Sequence, residues 1–357
     1  MAARSNNSSA ALQWFSKALL PWYREHFRDL PWRRTTDPYR IWLSEVILQQ
    51  TRVDQGMAYW HRFVERYPTV ADLASAPEDD VLKLWQGLGY YSRARNLRTA
   101  AQQVMDDHQG QFPRTYEALK QLKGVGEYTA AAIGSISFNL PEPVVDGNVY
   151  RVLARVFGLD LPIDSTEGKK VFRSLAADLL DPTHPGDHNQ AVMELGAIVC
   201  TPKNPLCETC PIATKCIAKA TDRITELPVK ANRTAVRTRH FNYLHITTKQ
   251  GTYLRKRKGK GIWEGLYEFP QIESEKDLGT NRFAALLERT YGKGWKLTNS
   301  YGPVKHVLSH QLIRATFWTA IPPLGFAVTA DWVLVPKAKM TDYAVPRLVE
   351  RYLGEGL

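Results

Sequence analysis

The chain has 357 residues, enough for two domains with separate hydrophobic cores. Hydrophobic residues make up 44% of it and charged residues 23%, which is typical of a folded globular protein and excludes a disordered one. The first residues, MAARSNNSSAALQWF, lack the apolar run of a secretory signal, and no segment is apolar over the length that crosses a bilayer. We therefore expect a protein that does not enter a membrane.

Positive charge is concentrated in the second half of the chain, within a net charge of +11. Residues 1–220 hold 25 Lys and Arg against 24 Asp and Glu, whereas residues 221–357 hold 22 against 12. Between Pro228 and Trp263 there are ten basic residues and no acidic one. A polyanion is the natural partner of such a stretch, although a solvated linker followed by a charged hairpin would give the same pattern.

The chain from residue 12 to about 220 is predicted to be helical, with turn signals between the helices. Asp37 and Pro38 predict the N-cap and first residue of a helix that continues through YRIWLSEVILQQTRVDQGMAYW (39–60). Further helices are predicted after Pro68, Pro77, Gly87 and Pro113. Because no segment alternates as a strand does, this half is predicted to be all-α.

A helix, a short glycine-containing turn and a second helix are predicted in TYEALKQLKGVGEYTAAAIGSI (115–136). Gly124 and Gly126 would let backbone N–H groups face outward beside the positive N-terminus of the second helix. Such a site binds phosphate without sequence preference. A nucleotide P-loop is excluded because the Gly-Lys-Ser/Thr ending and the preceding strand are missing. On this pattern alone, a plain helix–helix turn stays open.

All four cysteines of the chain lie in CTPKNPLCETCPIATKC (200–216). A disulfide scaffold would scatter cysteines through a small secreted chain, so the window predicts a metal site. Zinc usually takes two close cysteine pairs, and only one Cys-x2-Cys pair is present. A [4Fe-4S] cluster is therefore favoured over zinc. The predicted ligands are Cys200, Cys207, Cys210 and Cys216.

After a linker at 224–239 the chain changes to β-branched and aromatic runs separated by Gly and Asn turns. The predicted strands are 241–248, 251–257, 262–269, 312–321 and 330–335. Two helices are predicted at 281–292 and 344–353. These elements predict an α+β domain of about 120 residues.

The order of the motifs resembles the endonuclease III superfamily of DNA base-excision glycosylases: a helix-hairpin-helix, an aspartate in VVDGNVYRVLARV (144–156) and a cysteine loop. Two further segments, LPWRRTTDPYRIWLSEVILQQTRV (30–53) and GLGYYSRARNL (87–97), resemble adenine DNA glycosylases of the MutY type. Enzymes of that family remove adenine mispaired with 8-oxoguanine.

The resemblance implies a three-part chain. Residues 1–223 would form the helical glycosylase region, with a six-helix core at about 32–140 that contains the helix-hairpin-helix 115–137. The N-terminal helix and 141–223 would form the half that carries one [4Fe-4S] cluster. The linker 224–239 would lead to a MutT-like (Nudix-like) 8-oxoguanine-recognition domain at 240–357.

Cleaving the N-glycosidic bond of adenine needs an acid for the leaving base and an anion near the anomeric carbon. Glu45 lies among apolar residues of its helix, where desolvation would raise its pKa. The resemblance makes Glu45 the acid that donates to adenine N7, and Asp146 the anion that stabilises the oxocarbenium ion. Asn148 would position Asp146 or the attacking water. Bifunctional relatives carry a lysine where this chain has Tyr128, so we expect no lyase activity.

The resemblance also implies DNA contacts. Gln50 and Tyr90 would be wedges in the base stack. The residues near the opposing base or its backbone would be Thr51, Leu88 and Arg93. The residues around the flipped adenine would be Trp32, Arg33 and Gln190. The hairpin residues in contact with phosphate would be Lys123, Gly124, Val125 and Gly126.

In the C-terminal domain, the segment RFAALLERTYG (282–292) offers only Glu288 where a MutT-type enzyme needs several glutamates for Mg²⁺. We therefore expect binding without catalysis. The loop HVLSHQ (306–311) matches the loop by which the family reads 8-oxoguanine, through Ser309 and His310. Leu308 stands where the family usually has phenylalanine.

Two alternatives stay open: a thymine or uracil mismatch glycosylase on the same core, and a non-catalytic DNA-binding protein. The first usually lacks the MutT-like domain, and the second would not need both Glu45 and Asp146. We expect a monomer in a bacterial cytoplasm, associated with the nucleoid through its DNA. The expected partner is double-stranded DNA containing A:8-oxoguanine or A:G mispairs, and no membrane.

Overall fold

A computed structural model describes residues 6–231 and 236–355. The chain divides into two compact units, Met1–Ser75 with Thr99–Asn232 and Ala76–Arg98 with Arg233–Leu357. Part of the predicted linker, residues 232–235, lies outside the described residues, and the first strand already begins at Arg237. The domain boundaries at 223 and 240 stay predictions.

The described part of residues 6–231 is helical, as predicted, and holds twelve α-helices. They are α1 (Asn6–His26), α2 (Pro38–Leu48), α3 (Val53–Arg66), α4 (Val70–Ser75), α5 (Glu78–Trp85), α6 (Ser92–His108), α7 (Tyr116–Gln121), α8 (Glu127–Phe138), α9 (Gly147–Phe157), α10 (Thr166–Leu179), α11 (Pro185–Ile198) and α12 (Ile217–Ala220). Short 3-10 turns occur at Pro31–Arg33, Cys207–Thr209 and Ala213–Lys215. None of the described helices is long and apolar enough to cross a membrane.

The single helix predicted over 39–60 is wrong, because the structure divides it into α2 and α3. Asp37 does cap α2, accepting a hydrogen bond from the backbone N–H of Tyr39 at 3.0 Å. The break follows Leu48, and Gln50 takes a left-handed backbone with φ of 57°. Neither Gly nor Pro marks the break in the sequence, so helix propensity alone could not predict it.

One hydrophobic core of the first unit joins the N-terminal helix to helices far along the chain. Phe15 and Leu19 of α1 pack with Val152 of α9, Phe172 of α10 and Leu195 of α11, all of them buried. The partly buried Cys200, Cys210 and Cys216 pack against this core. The cysteine loop is therefore held by the same apolar cluster as α9 and α11.

The second unit contains two sheets. Its strands are β1 (Arg237–Ile246), β2 (Thr252–Lys256), β3 (Tyr267–Glu268), β4 (Gln271–Ser274), β5 (Lys296–Val307), β6 (Gln311–Ile321) and β7 (Trp332–Val335). One sheet has the order β4-β1-β6-β5, in which β1 and β6 are parallel and the other pairs antiparallel. The other sheet, β3-β2-β7, is antiparallel.

Three strands differ from the prediction. Strands β4 and β5 were not predicted. Strand β5 contains Gly302 and Pro303, and its ladder with β6 shifts register between Leu297 and Asn299 and again between Tyr301 and Val304, where these two residues lie. The predicted strand 262–269 contains only the two residues of β3.

Helices cover both faces of the four-stranded sheet. Phe283 of α13 (Thr280–Tyr291) stacks on Trp318 with ring centroids 4.5 Å apart. Tyr352 of α14 (Arg347–Glu355) stacks on Phe317 at 4.0 Å, on the opposite face because neighbouring residues of β6 point to opposite sides. A further 3-10 segment, Lys337–Asp342, precedes α14.

The segment Ala76–Arg98 belongs to this unit through polar contacts. Arg95 forms an ion pair with Glu264 at 2.9 Å, Lys83 donates to the carbonyl of Tyr343 at 3.1 Å, and Lys256 pairs with Asp79.

Candidate active site

Glu45 of α2 lies in a cleft of about 870 Å³ in the first unit. A volume of this size is within the range of about 300–1,000 Å³ that is typical of ligand sites. Nine of the predicted site residues line it together: Trp32, Arg33, Glu45, Gln50, Thr51, Tyr128, Asp146, Asn148 and Gln190. Gly124 and Gly126 of the hairpin line it as well. Residues far apart in the sequence therefore meet in one cavity.

The carboxyl of Glu45 is enclosed by protein, although the residue keeps a partly exposed surface. The pKa of Glu45 is raised to about 7, chiefly by burial, and the nearby charge of Asp146 acts in the same direction. A hydrogen bond from the Tyr128 hydroxyl to Oε2, at 2.6 Å, and the charge of Arg33 act in the opposite direction. The predicted direction is confirmed: near neutral pH a large fraction of Glu45 carries a proton.

Tyr128 is the second residue of α8, directly after the hairpin. Burial, followed by the charges of Glu45 and Asp146, raises the pKa of Tyr128 well above its ordinary value. The hydroxyl therefore stays neutral and donates to Glu45; its oxygen also lies 3.6 Å from Sδ of Met193. No amine is present at this position.

Asp146 is the N-cap of α9, as predicted. Its Oδ1 accepts from the backbone N–H of Val149 at 2.7 Å, and its Oδ2 accepts from the side-chain amide of Asn148 at 2.9 Å. Burial raises the pKa of Asp146, while these two donors act to lower it. The second carboxylate of the cleft is thus oriented by donors that favour its charged form.

Arg151 links this end of α9 to the cysteine loop. Its guanidinium donates to Oδ1 of Asn148 at 2.8 Å, to the carbonyl of Gly196 at 2.7 Å and to the carbonyl of Cys200 at 2.7 Å. At Gly196 an added Cβ would lie 2.6 Å from Cβ of Asn148, so only glycine permits this approach of α11 to α9. The carboxylate of Asp146 is therefore held through Asn148 by the contact between two helices.

Sequence reasoning missed Glu194, whose carboxylate is fully buried. It accepts from the guanidinium groups of Arg28 and Arg33, at 2.7 Å each. Burial alone would raise its pKa, but the hydrogen bonds from these two arginines hold the pKa at about 2. The buried carboxylate of Glu194 thus fixes the guanidinium of Arg33 in the cleft. The available signal was an acidic residue within the apolar helix AVMELGAIV, four residues after Gln190.

The remaining predicted residues of the cleft differ in exposure. Trp32 is buried edge-on against Trp60, with centroids 5.8 Å apart. Gln50 is exposed, and Thr51 and Gln190 are half-buried. The left-handed backbone of Gln50 is a strained conformation for a residue with a side chain.

The hairpin keeps its glycines for two different reasons. Gly124 has φ of +77°, a left-handed conformation that glycine adopts without strain. Gly126, the N-cap of α8, has an ordinary φ of −89°, and an added Cβ would meet no atom within 4 Å. Folding does not require glycine at 126, whereas close approach of a ligand to the backbone would.

Two hairpin residues contribute less than expected. Val125 is buried, and its backbone N–H donates to the carbonyl of Leu122 at 3.0 Å, so this N–H already has a partner within the hairpin. The backbone N–H of Lys123 donates to Gln103 at 2.7 Å, which leaves its exposed side chain as the group that can reach a ligand.

The four cysteines line one small cavity. Arg155 Nη1 lies 3.4 Å from Sγ of Cys200. Burial, together with the neighbouring thiols, raises the pKa of Cys210 to about 11. Among the residues that the structure describes, no group of three or more His, Cys, Asp and Glu is placed to hold a metal ion. The donor chemistry, four soft thiols and an adjacent guanidinium, fits an iron–sulfur cluster.

The second unit has a cleft of its own, lined by Leu88, Tyr90 and the turn Leu308–His310 between β5 and β6. The hydroxyls of Tyr90 and Ser309 are hydrogen-bonded, and the side chain of Tyr90 is 45% exposed. Tyr90 also has a left-handed backbone, with φ of 47°. Ser309 and His310 are exposed, and Leu308 is half-buried.

Two predicted contacts of this region are packed more closely than expected. Leu88 is buried, so its side chain serves the core of the unit. The guanidinium of Arg93 lies 5.0 Å from the ring centroid of Trp85 and 5.7 Å from that of Tyr90. Burial lowers the pKa of Arg93 to about 10. Arg93 therefore supports the ring of Tyr90.

Comparison with known proteins identifies both parts of the chain. The profile of the HhH-GPD superfamily base excision DNA repair proteins matches residues 43–176, and that of the NUDIX domain matches residues 242–355. The prediction of a helix-hairpin-helix glycosylase region followed by a MutT-like domain is confirmed.

Within the HhH-GPD superfamily, the most informative sequence relatives are adenine DNA glycosylases. The rat adenine DNA glycosylase is 37% identical over 359 residues, covering 85% of this chain and 69% of the rat protein. That of Buchnera aphidicola subsp. Baizongia pistaciae is 33% identical, covering 83% of each chain. The human adenine DNA glycosylase is 48% identical over 214 residues, but the match spans only 39% of its length. The chain belongs to the adenine DNA glycosylase family, as predicted.

Solved structures agree on the fold of the helical region. A thermostable thymine-DNA glycosylase matches with 30% identity and a TM-score of 0.55, covering 60% of this chain and 98% of that one. An endonuclease III in a non-covalent complex with DNA matches over the same shares, with 21% identity and a TM-score of 0.52.

Replacing Glu45 with Gln should make the protein more stable above neutral pH. The wild-type carboxyl has a pKa of about 7 when folded and about 4.5 in a model compound, so ionisation favours the unfolded state as the pH rises from 4.5 through 7. The advantage of Glu45→Gln should be near zero below pH 4.5 and reach up to about 3 kcal/mol by pH 8.

Denaturant unfolding at a series of pH values measures this difference. Glu65→Gln, at an exposed position of α3, is the matched control and should show no such rise. A constant difference between Glu45→Gln and wild type from pH 4.5 to 8 would contradict the raised pKa.

Proposed function

We propose that the protein excises adenine from A:8-oxoguanine and A:G mispairs in duplex DNA and leaves an abasic site without cutting the strand. The observation that carries this proposal is the pair of carboxyl groups in one cleft, Glu45 with a pKa of about 7 and Asp146 held by two hydrogen-bond donors. Family membership supports adenine as the base.

Glu45 would act as the general acid. A pKa near the working pH allows a group both to hold a proton and to release it in the transition state. The proton would pass to N7 of adenine as the C1′–N9 bond breaks, and the bonding electrons would leave with the neutral base. The hydroxyl of Tyr128 would then stabilise the carboxylate that remains, since it donates to Oε2.

Asp146 would stabilise the positive charge that develops on the sugar. Its two donors, Asn148 and the N–H of Val149, favour the charged form of the carboxylate and orient it in the cleft. Water would then add its oxygen to C1′ and return a proton to Glu45. Both carboxyl groups end as they began, and the products are adenine and an abasic site.

Tyr128 supports hydrolysis without strand cleavage. A lyase needs an amine that attacks C1′ and forms a Schiff base, and the hydroxyl that occupies this position is neutral and bonded to Glu45.

Access to adenine would require the base to leave the stack. Gln50 and Tyr90 are both exposed, and each holds a left-handed backbone, which costs on the order of 1–3 kcal/mol and persists where the surrounding structure imposes it. This supports their assignment as wedges, with Trp32, Arg33 and Gln190 around the extruded base.

Recognition of 8-oxoguanine would fall to Ser309 and His310. Both are exposed in the turn between β5 and β6, and Ser309 is hydrogen-bonded to Tyr90 in the same unit. Tyr90, the proposed wedge, and Ser309, the proposed contact to the opposing base, would thus be linked by a hydrogen bond.

One [4Fe-4S] cluster would be held by Cys200, Cys207, Cys210 and Cys216. When bound, it supplies iron–thiolate bonds that tie the loop 200–216 together. Arg155, beside Cys200, would offset part of the negative charge of the four thiolates. Through Arg151 the same loop also holds Asn148.

The purified protein should be yellow-brown and contain roughly four irons per chain, because four clustered thiols with a single Cys-x2-Cys pair favour the cluster. Metal analysis by mass spectrometry and the visible absorption spectrum measure this. A colourless protein with one zinc per chain would contradict the assignment.

Glu45→Gln and Asp146→Asn should each lower the single-turnover rate of adenine release by at least ~10²-fold, since one cannot supply the proton and the other removes the anion. Asn caps a helix as well as Asp does, so Asp146→Asn should keep α9 in place. The measurement uses duplexes with A, T or U opposite G or 8-oxoguanine, followed by alkali, and Glu65→Gln is the control.

Only adenine should be released, and strands should break only after alkali. Release of thymine or uracil instead would favour the mismatch alternative, and no release of any base would favour a non-catalytic DNA-binding protein. Strand breakage without alkali, or efficient trapping with borohydride, would show that an amine acts as nucleophile.

Replacing both Ser309 and His310 with Ala should slow cleavage of A:8-oxoguanine more than cleavage of A:G, because only the former presents the oxidised base. The ratio of the two single-turnover rates measures this, with Ser300→Ala on the exposed face of β5 as control. An unchanged ratio would mean that the turn between β5 and β6 does not read the opposing base.

A further inference from the structure

The second unit carries a basic groove, separate from the cleft that holds Tyr90 and Ser309. Its walls are the start of β1, the end of β4 and one face of α13, and its volume is about 840 Å³. The cationic side chains that line this basic groove are Arg237, Arg239, Lys276, Arg282 and Arg289.

Most of the positive charge in the basic groove is uncompensated. Arg239 is neutralised by Glu273, through hydrogen bonds of 2.8 and 2.6 Å. In the described part of the chain none of the other four cations forms an ion pair, and the lining offers them only Glu275 as a further carboxylate. Four exposed cations against one carboxylate make a site for an anion.

Helix α13 presents this charge on a rigid support. Arg282 and Arg289 are seven residues apart and lie on one face with Ala285 and Leu286. The buried face of α13 is anchored by Phe283, which stacks on Trp318. The two arginines are therefore spaced about 10 Å along the helix. This distance corresponds to about three nucleotide steps along the axis of B-DNA, at about 3.4 Å per step.

The basic groove begins beside the turn that carries Ser309 and His310. The backbone N–H of Arg237 donates to the carbonyl of His310 at 3.0 Å, and Arg237 pairs with Gln311 in the sheet. A strand whose base contacts His310 would therefore pass close to Arg237 as it leaves the turn.

We propose that the basic groove binds backbone phosphates of the DNA strand that carries the opposing base. This inference rests on the proposed function for the identity of that strand. Arginine forks match phosphate oxygens in a bidentate manner, and such contacts fix the position of a protein on DNA without reading sequence. The degenerate MutT-like domain thus grips the strand with α13 while the neighbouring turn reads its base.

The test compares wild type with Arg282→Gln/Arg289→Gln in the full-length protein. The ligand is an A:8-oxoguanine duplex whose adenosine carries a 2′-fluorine to block cleavage, and affinity is measured by fluorescence anisotropy over a range of salt concentrations. The slope of log K against log salt should become shallower by about 1–2, since each lost phosphate contact removes about 0.9.

Two control variants distinguish binding at the basic groove from a general effect of the protein's positive charge. Lys249→Gln/Lys339→Gln removes the same charge from exposed positions outside the basic groove and should change the slope less. Arg282→Lys/Arg289→Lys keeps the charge and should keep most of the slope. Equal losses in both Gln variants would overturn the proposal.

Neutral methylphosphonates placed one at a time along the duplex identify the strand. One or two positions on the 8-oxoguanine strand should weaken binding of wild type but not weaken Arg282→Gln/Arg289→Gln any further. If the coupled positions lie on the adenine strand, or if no position couples, the proposal fails.

Cleavable duplexes without the 2′-fluorine, with either 8-oxoguanine or G opposite the adenine, separate this test from that of the proposed function. Equal cleavage rates on the two duplexes would reject 8-oxoguanine recognition, whereas the phosphate coupling would still report on the basic groove. An unchanged DNA slope in the Gln variant, with loss of binding to a poly-glutamate peptide, would assign the groove to an acidic protein segment and overturn the proposal.

Discussion

The burial of one carboxyl group is the constraint on which the site depends. Glu45 lies on a helix whose other faces form core, and burial raises its pKa to about 7. A solvated glutamate would be ionised at neutral pH and could not serve as an acid. Burying this carboxyl lowers the stability of the folded protein. The hydrogen bond from the hydroxyl of Tyr128 offsets part of that loss. Chemistry and stability therefore oppose each other at this residue.

The second carboxylate depends on a contact between helices. Asp146 caps α9, and the side chain of Asn148, two residues later in the first turn, donates to it. Asn148 is in turn fixed by Arg151 and by the close approach of Gly196 on α11. The cysteine loop shares both the hydrogen bonds of Arg151 and the hydrophobic core of α9 and α11. A change in the position of the cysteine loop should therefore change the orientation of the Asp146 carboxylate.

The second unit has the fold of a NUDIX domain but lacks most of the glutamates that a MutT-type enzyme needs for Mg²⁺. The helix that would carry several glutamates in a MutT-type enzyme here has only Glu288, and its face toward the basic groove carries Arg282 and Arg289. Guanidinium groups on this face suit the anion proposed above and do not suit a metal ion. Nearby, the hydrogen bond between Tyr90 and Ser309 joins a segment from the helical part of the sequence to the sheet.

The sequence by itself determined the fold class, the family and the identity of most polar groups of the cleft. Periodicity separates the helical half from the strand-rich half, and Asp37, Asp146 and the hairpin glycines act through local backbone geometry that neighbouring residues define. The pKa of Glu45 was predicted in direction, because the apolar residues around it on the helix already imply desolvation.

Tertiary structure alone decided the rest. The ion pairs of Glu194 with Arg28 and Arg33 and the crossing at Gly196 depend on residues distant in the sequence, and the break at Gln50 depends on strain imposed by packing. Strand β5 forms across Gly302 and Pro303 because its partner β6 supplies the ladder. The local sequence pattern does not indicate such partners, because burial and hydrogen-bond pairing depend on the folded chain as a whole.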